Sequence, residues 1–264
     1  MKNKEERIIQ MKRAGIIALW VLLCGGLLFS LGFVQKQQGE TLCYGMDITI
    51  SPEAENFFID RTAVVGILTN EGKEDQIVGE PVHKIDVAEL EQRLERNPFV
   101  YNAEVYAYLN GKLRVDVYQR KPVIRIIRTD GSGYYIDNRG LKMPLSESYT
   151  ARVAVATGNI YEKYSEGDSL RSVVTQQLYQ LAMFLEKDEF WRAQVEQIFV
   201  NEKSELVLVP KVGDHQIMLG TAEDLEEKFN RLMLFYKEAL AKTGWNNYSM
   251  INLKYKGQIV CTKK

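Results

Sequence analysis

Three cysteines (Cys24, Cys43, Cys261) and two histidines (His83, His215) are the residues of this 264-residue chain best suited to chemistry. A thiolate beside a His or Arg could be a nucleophile, and closely spaced Cys and His could hold zinc. The spacing supports neither. There is no Cys-x-x-Cys and no close His pair, and nothing in the sequence sets His83 beside Cys261. Asp130-Gly131-Ser132-Gly133 runs into strand signals and lacks a Gly-Lys-Ser/Thr, so it is a turn and not a phosphate loop. The acid pairs Asp47 with Asp60 and Asp188 with Glu189 read as caps and solvated faces. A Cys43–Cys261 disulfide would suit an oxidising compartment, but sequence does not supply the Cα separation it needs. No metal, cofactor or small-molecule substrate is therefore expected, and no enzyme.

The composition is that of an ordinary globular protein, and the net charge of -1 carries no nucleic-acid footprint. Residues Ala14–Val34 hold no charge. Helical, they would span roughly 30 Å, the thickness of a hydrocarbon core. Their Leu, Ile, Val and Phe residues favour insertion by roughly 4 to 7 kcal/mol. Lys2, Lys4, Arg7, Lys12 and Arg13 precede them, which places the N-terminus in the cytoplasm and the remainder outside. A cleaved signal peptide fits less well, because the apolar run is too long and Ser30-Leu31-Gly32 is a poor cleavage site. Leu23 is too bulky for a lipoprotein signal at Cys24, and Gly25-Gly26 could admit a neighbouring helix.

The run from Asn97 to Pro122 reads as a β-hairpin fed by a capped helix. Ala103, Val105, Ala107 and Leu109 share one face, and Leu113, Val115 and Val117 continue it after Asn110-Gly111. A two-residue Asn-Gly loop would set Val105 against Asp116 and Ala107 against Arg114. A three-residue loop Leu109-Asn110-Gly111, with Gly111 left-handed, sets Val105 against Val115 and Ala107 against Leu113. Upstream, Asp86 and Glu89 form a capping-box-like pair before Val87, Leu90 and Leu94, and Asn97-Pro98 ends that helix. Asp60 can cap a helix striped by Ala63, Val64, Ile67 and Leu68, stopped by Asn70 and Gly72. Met46, Ile48 and Ile50 alternate in a strand ended by Pro52. The order from Met46 to Arg120 is strand, helix, helix, strand, strand.

Beyond Lys121 strands dominate, with two helices. Val123–Ile127 and Tyr134–Ile136 are strands. The Arg-rich stretch Arg120–Arg128 reads as an outer strand face, with anionic lipid contact as a minor alternative. Asp168 and Ser169 can cap a helix carrying Leu170, Val174, Leu178, Leu181 and Leu185. Strands follow at Val195–Val200, Leu206–Val209 and Gln216–Leu219. Thr221 opens a second helix with Leu225, Phe229, Leu232, Tyr236 and Leu240, and Gly244 ends it. The chain finishes as a hairpin of Ser249–Tyr255 and Gln258–Thr262 turning at Lys256-Gly257, with Leu253 opposite Val260 and Tyr255 opposite Gln258. At a sheet edge that last strand would carry unpaired backbone groups, which a partner strand could cover or Lys263-Lys264 could blunt.

Several stretches together resemble the FtsQ/DivIB family of bitopic bacterial cell-division proteins. Asn97-Pro98-Phe99-Val100-Tyr101-Asn102-Ala103-Glu104-Val105 is similar to the family's NPxVxxAxV stretch. Leu113–Val117 with Lys121-Pro122 resembles its LxIxVxExxP continuation. Tyr135-Ile136-Asp137-Asn138-Arg139-Gly140 resembles xIDxxG, and Ile251–Tyr255 resembles the terminal vDLRY strand. Gln119-Arg120 departs from the usual Glu, Leu109–Lys112 from a Trp-Pro turn, and Asn252 and Lys254 from Asp and Arg. The resemblance implies an α+β chain: a cytoplasmic tail 1–13, a single transmembrane helix 14–34, a linker 35–45, a POTRA domain 46–120 (β-α-α-β-β) and a mixed β domain 121–264 with two helices. It implies a scaffold in the division machinery, in the cytoplasmic membrane and at the septum. It also implies strand addition by an FtsB/FtsL-type coiled-coil pair at Gln258, Ile259, Val260, Cys261 and Thr262, with Tyr255 beside them. Two other classes fit less well. A sortase-like transpeptidase would need a TLxTC motif where Gln258–Cys261 stands, and a POTRA-bearing outer-membrane protein would need repeats or a barrel. A generic envelope adaptor is the cautious alternative.

Overall fold

The computed structural model describes residues 20–27, 41–51, 57–69, 77–165 and 169–264. Most of the expected span 14–34 lies outside them, as do Asn70, Gly72, Pro52 and Asp168. Residues 20–27 are helical, with Trp20, Val21, Leu22, Leu23 and Leu27 exposed. No helix among the described residues is long and apolar enough to cross a membrane. The chain divides into two compact units, one of Met1–Thr49, Arg61–Leu94 and Ala103–Val117, the other of Ile50–Asp60, Glu95–Asn102 and Tyr118–Lys264.

The first unit is built on a three-stranded sheet with strand β3 (Lys112–Gln119) between β1 (Gly45–Ile50) and β2 (Val100–Ala107). Helices α1 (Arg61–Leu68) and α2 (Val87–Glu95) stand between β1 and β2 in sequence, giving the expected β-α-α-β-β order. A short 3-10 turn, Val82–Lys84, precedes α2. Val64 and Leu68 of α1, Leu90 and Leu94 of α2, and Val105, Leu113 and Val115 of the hairpin are buried. The Glu89 amide donates to Asp86 Oδ1, so half of the capping box forms. The Glu89 carboxylate turns instead to Arg93, which also donates to the Leu68 carbonyl at the end of α1. A cation at a helix C-terminus satisfies an orphan carbonyl and complements the helix dipole.

The hairpin closes through three residues. The Tyr108 amide donates to the Lys112 carbonyl, the Gly111 amide donates to the Tyr108 carbonyl, and Gly111 has φ +87°. A Cβ there would lie 2.5 Å from the Leu42 carbonyl oxygen. The inward face ends sooner than its alternation suggests, because Ala107 and Leu109 are exposed. The buried stripe of the sheet stops at Val105 and Leu113, and the tip projects beyond it. Arg114 Nε forks onto both Asp116 oxygens, at 3.1 and 2.8 Å.

The second unit contains, among the described residues, a nine-stranded sheet in the order β12-β11-β10-β9-β8-β7-β4-β5-β6. The strands are β4 (Pro122–Ile127), β5 (Gly133–Asp137), β6 (Lys142–Met143), β7 (Ala154–Gly158), β8 (Val195–Val200), β9 (Leu206–Pro210), β10 (Gln216–Gly220), β11 (Tyr248–Asn252) and β12 (Val260–Lys263). Parallel pairs β4–β7, β7–β8 and β10–β11 make the sheet mixed. Parallel neighbours need crossovers. Helix α3 (Val173–Leu185) and helix α4 (Glu189–Gln194) lie between β7 and β8, and helix α5 (Leu225–Phe235) lies between β10 and β11. Leu178, Leu181 and Leu185 are buried, each contributing roughly 2 kcal/mol. Phe229 packs on Phe184 and Trp191 at 4.8 and 4.9 Å.

Four expectations for this half change. Ser172 caps α3 by accepting from the Thr175 amide, where Asp168 and Ser169 were expected to cap it. Its hydroxyl sits at the spacing that an N-cap bond needs. The second helix begins at Leu225 and not at Thr221, because Asp224 takes a left-handed conformation just before it. A third helix, α4, stands where two were expected, and Asp188 caps it through the Trp191 amide. Arg120 is not on an outer face. Its guanidinium is paired at 2.8 Å with Asp137, whose side chain is 1% exposed, and donates to the carbonyls of Pro98, Leu141 and Lys142.

A second buried pair joins Lys142 and Glu162 at 2.7 Å. Burial alone would raise the Glu162 pKa, but the Lys142 ammonium, the Thr175 hydroxyl and the amides of Arg171 and Ser172 outweigh it. The carboxyl is held at about 2.

Two expected outcomes follow from these contacts. Gly111→Val should lower stability by about 2 kcal/mol or more in urea unfolding, since it combines strained φ with a backbone clash, and an unchanged midpoint would refute the hairpin geometry. The depressed Glu162 pKa stabilises the fold fully above the unfolded carboxyl value and is lost as pH falls through about 2. Glu162→Gln should therefore flatten that part of the acid-unfolding curve. At neutral pH it should also cost about 3 kcal/mol, by removing the carboxylate charge paired with buried Lys142.

Candidate functional site

The two edges of the second unit's sheet differ sharply. At one edge β6 is two residues long, and both Lys142 and Met143 are buried. At the other, β12 is four residues long, and Val260, Thr262 and Lys263 are exposed. Among the described residues its one neighbour is β11, in the register Asn252↔Val260, Ile251↔Cys261, Met250↔Thr262 and Tyr248↔Lys263. An edge strand with accessible backbone groups is a template for pairing.

This register corrects the expected terminal hairpin. Val260 lies opposite Asn252 and not Leu253, and Tyr255 and Gln258 fall outside both strands. The cause is Arg231 on α5. Its guanidinium donates to the carbonyls of Leu253 (3.2 Å), Tyr255 (2.6 Å) and Gln258 (2.5 Å), so the turn forms at Lys256-Gly257 as expected but the two strands stop short of it. The Leu253 amide meanwhile donates to the Met218 carbonyl, and its side chain is fully buried.

The side chains alternate along the strand. Ile259 and Cys261 pack against the core, whereas Val260 and Thr262 point outward. Burial pushes the Cys261 thiol pKa up, opposite to what a nucleophilic thiolate requires. All three cysteines are free. His215 is buried, with Nε2 3.1 Å from the Tyr236 hydroxyl and its ring near Trp245. Burial lowers its pKa, so the imidazole is held neutral. Lys264 is tied to Asp214 at 3.1 Å, and its amide donates to the Asn247 carbonyl. The Ser249 hydroxyl donates to the Thr262 carbonyl. Asn252 Oδ1 accepts from the Lys254 amide, and Lys254 pairs with Glu205.

Of the six residues expected to meet a partner, Val260, Cys261 and Thr262 lie on the edge strand. Ile259 and Gln258 lead into it, and Tyr255 sits half-exposed in the Arg231-bound loop. Sequence reasoning missed Arg231, Leu234 and Phe235. With Glu238, Gln258 and Ile259 they line a hollow of about 300 Å³ at the start of β12. Leu234 is 61% exposed. A leucine on the polar side of the α5 stripe was the available signal.

A β-α-α-β-β module is followed by a mixed sheet whose β12 edge is exposed. Residues 41–118 match a POTRA-like domain, and residues 121–262 match the family described as FtsQ/DivIB, C-terminal related. The chain belongs to the FtsQ/DivIB family. It is similar to proteins named Cell division protein FtsQ from Rhodothermus marinus and Geotalea daltonii. Each is 25% identical, over 69% and 70% of this chain and 67% and 66% of the relative.

Arg231→Ala should release the terminal loop at a cost of about 1–3 kcal/mol. Hydrogen exchange should quicken at the amides of Val260–Lys263 while β8 keeps its protection. Unchanged exchange at β12 would show that Arg231 does not hold the edge strand in place.

Proposed function

We propose that this protein is a non-enzymatic scaffold of the bacterial division machinery that binds a coiled-coil pair of the FtsB/FtsL type by strand addition at β12. The observation that carries the proposal is the accessible edge of a sheet whose opposite edge is buried. Backbone N–H and C=O groups along Val260–Thr262 would supply affinity, and the outward Val260 and Thr262 would select the added strand. Gln258, Ile259 and Tyr255 would contact the partner where it approaches the hollow beside Leu234 and Phe235. Cys261 would support the strand from within the core.

In this reading residues 1–13 are cytoplasmic and 14–34 cross the cytoplasmic membrane once. A linker, 35–45, leads to a POTRA domain over 46–120 and a β domain over 121–264 outside, enriched at the septum. The charge-free run 14–34 and the preceding Lys and Arg residues support the topology. Family membership and the names of the relatives support the role in division.

Val260→Glu tests the edge. Val260 is 46% exposed, so stability should change by no more than about 0.5 kcal/mol. Affinity for the coiled-coil pair should fall by about tenfold or more, measured by titration with the purified pair. A folded variant that binds undiminished would overturn strand addition at β12.

A further inference from the structure

At the tip of the first unit, four large apolar or aromatic side chains stand in water together. Leu109 is 76% exposed, Tyr44 59%, Leu42 53% and Tyr108 44%. The backbone brings the two segments into contact. The Tyr44 amide donates to the Gly111 carbonyl at 3.0 Å. The Leu42 carbonyl and the Tyr44 ring lie so close to Gly111 that a Cβ there would meet them at 2.5 and 3.0 Å. Leu42 and Tyr44 therefore flank the loop that carries Tyr108 and Leu109.

Two cations stand beside this tip. Lys112 and Arg114 are exposed on β3, and Arg114 pairs with Asp116, farther down the same strand. Glu80 lies near Leu42, its carbonyl accepting from the Cys43 amide. A leucine at the apex, tyrosines around it and cations behind form the pattern of a segment seated in the membrane interface. Tyrosine rings favour headgroup depth, and Lys and Arg meet anionic lipid.

The chain also limits where this tip can be. Leu42 follows the charge-free run 14–34 by eight residues, which cannot reach farther than about 29 Å. If 14–34 spans the bilayer, the tip is held within that distance of the lipid surface. We infer that the tip formed by Leu42, Tyr44, Tyr108 and Leu109 docks into the outer leaflet interface of the membrane that anchors the chain, with Lys112 and Arg114 facing anionic headgroups. The inference rests on the membrane span proposed above. It makes the first unit a lipid-seated platform instead of a freely swinging module.

The test uses the full chain with a photo-crosslinking p-benzoylphenylalanine at position 109, reconstituted in vesicles of phosphatidylcholine and phosphatidylglycerol at three to one. Leu109 is mostly exposed, so the probe leaves the fold intact. The same probe at Glu202, an exposed turn position of the second unit, is the control. The expected result is a chain that floats with the vesicles and gives lipid adducts at 109, at least about fivefold more than at 202. That adduct yield should fall when phosphatidylglycerol is omitted. A chain that floats without an excess of lipid adducts at 109 overturns the docking and leaves the span intact. A chain that does not float overturns the span and the docking with it. Adducts at 109 to protein in place of lipid would overturn the membrane as occupant.

Discussion

A buried carboxylate must be paired, and Asp137 shows how much structure can follow from that requirement. Its side chain is almost fully enclosed, where an unpaired charge would cost several kcal/mol. One oxygen meets the Arg120 guanidinium, and the other accepts from the amides of Arg139 and Leu141, which closes the turn from β5 into β6. The same guanidinium gathers the carbonyls of Pro98, Leu141 and Lys142. One ion pair therefore fixes the end of β3, the start of β4 and the β5–β6 turn together. Next to it, Gln119 Oε1 accepts from the amides of Phe58 and Ile59. Phe58 in turn stacks on Phe99 at 5.0 Å and meets Tyr149 edge-on at 5.0 Å. Gln119 and Arg120 are both structural in this chain.

Much of the first unit was legible because its signals are local. Parity along Ala103–Val117 excludes a two-residue turn and leaves Gly111 as the left-handed residue, which its φ of +87° matches. Asp86 announces α2 at the spacing that its bond to the Glu89 amide requires. In the second unit the limits of β8, Val195–Val200, are as expected. The misses are of another kind. Helix α4 has only six residues, too short for helical periodicity to declare itself. Arg120 and Asp137 are seventeen residues apart, and alternation carries no information about such a pair.

The terminal site shows the same limit. Alternation finds a strand near the C-terminus but cannot count its neighbours, and only the sheet order shows that β12 has one among the described residues. The register slipped by one even though Lys256-Gly257 is a turn, because the residue that holds the carbonyls on both sides of it, Arg231, lies on another element. Asn252 and Lys254, which depart from the family's terminal motif, are accommodated by a local amide bond and by Glu205. The strand's frame is thus kept by contacts different from those the motif alone would suggest.

The buried two-residue edge at β6 bears on stoichiometry. A sheet with two open edges can lengthen from both sides and, in copies, grow without limit. Enclosed Lys142 and Met143 close one side, so among the described residues the exposed edge strand of this sheet is β12. Under the proposed strand addition a partner would meet each sheet on one side, and two copies meeting edge to edge would form a closed pair instead of a polymer.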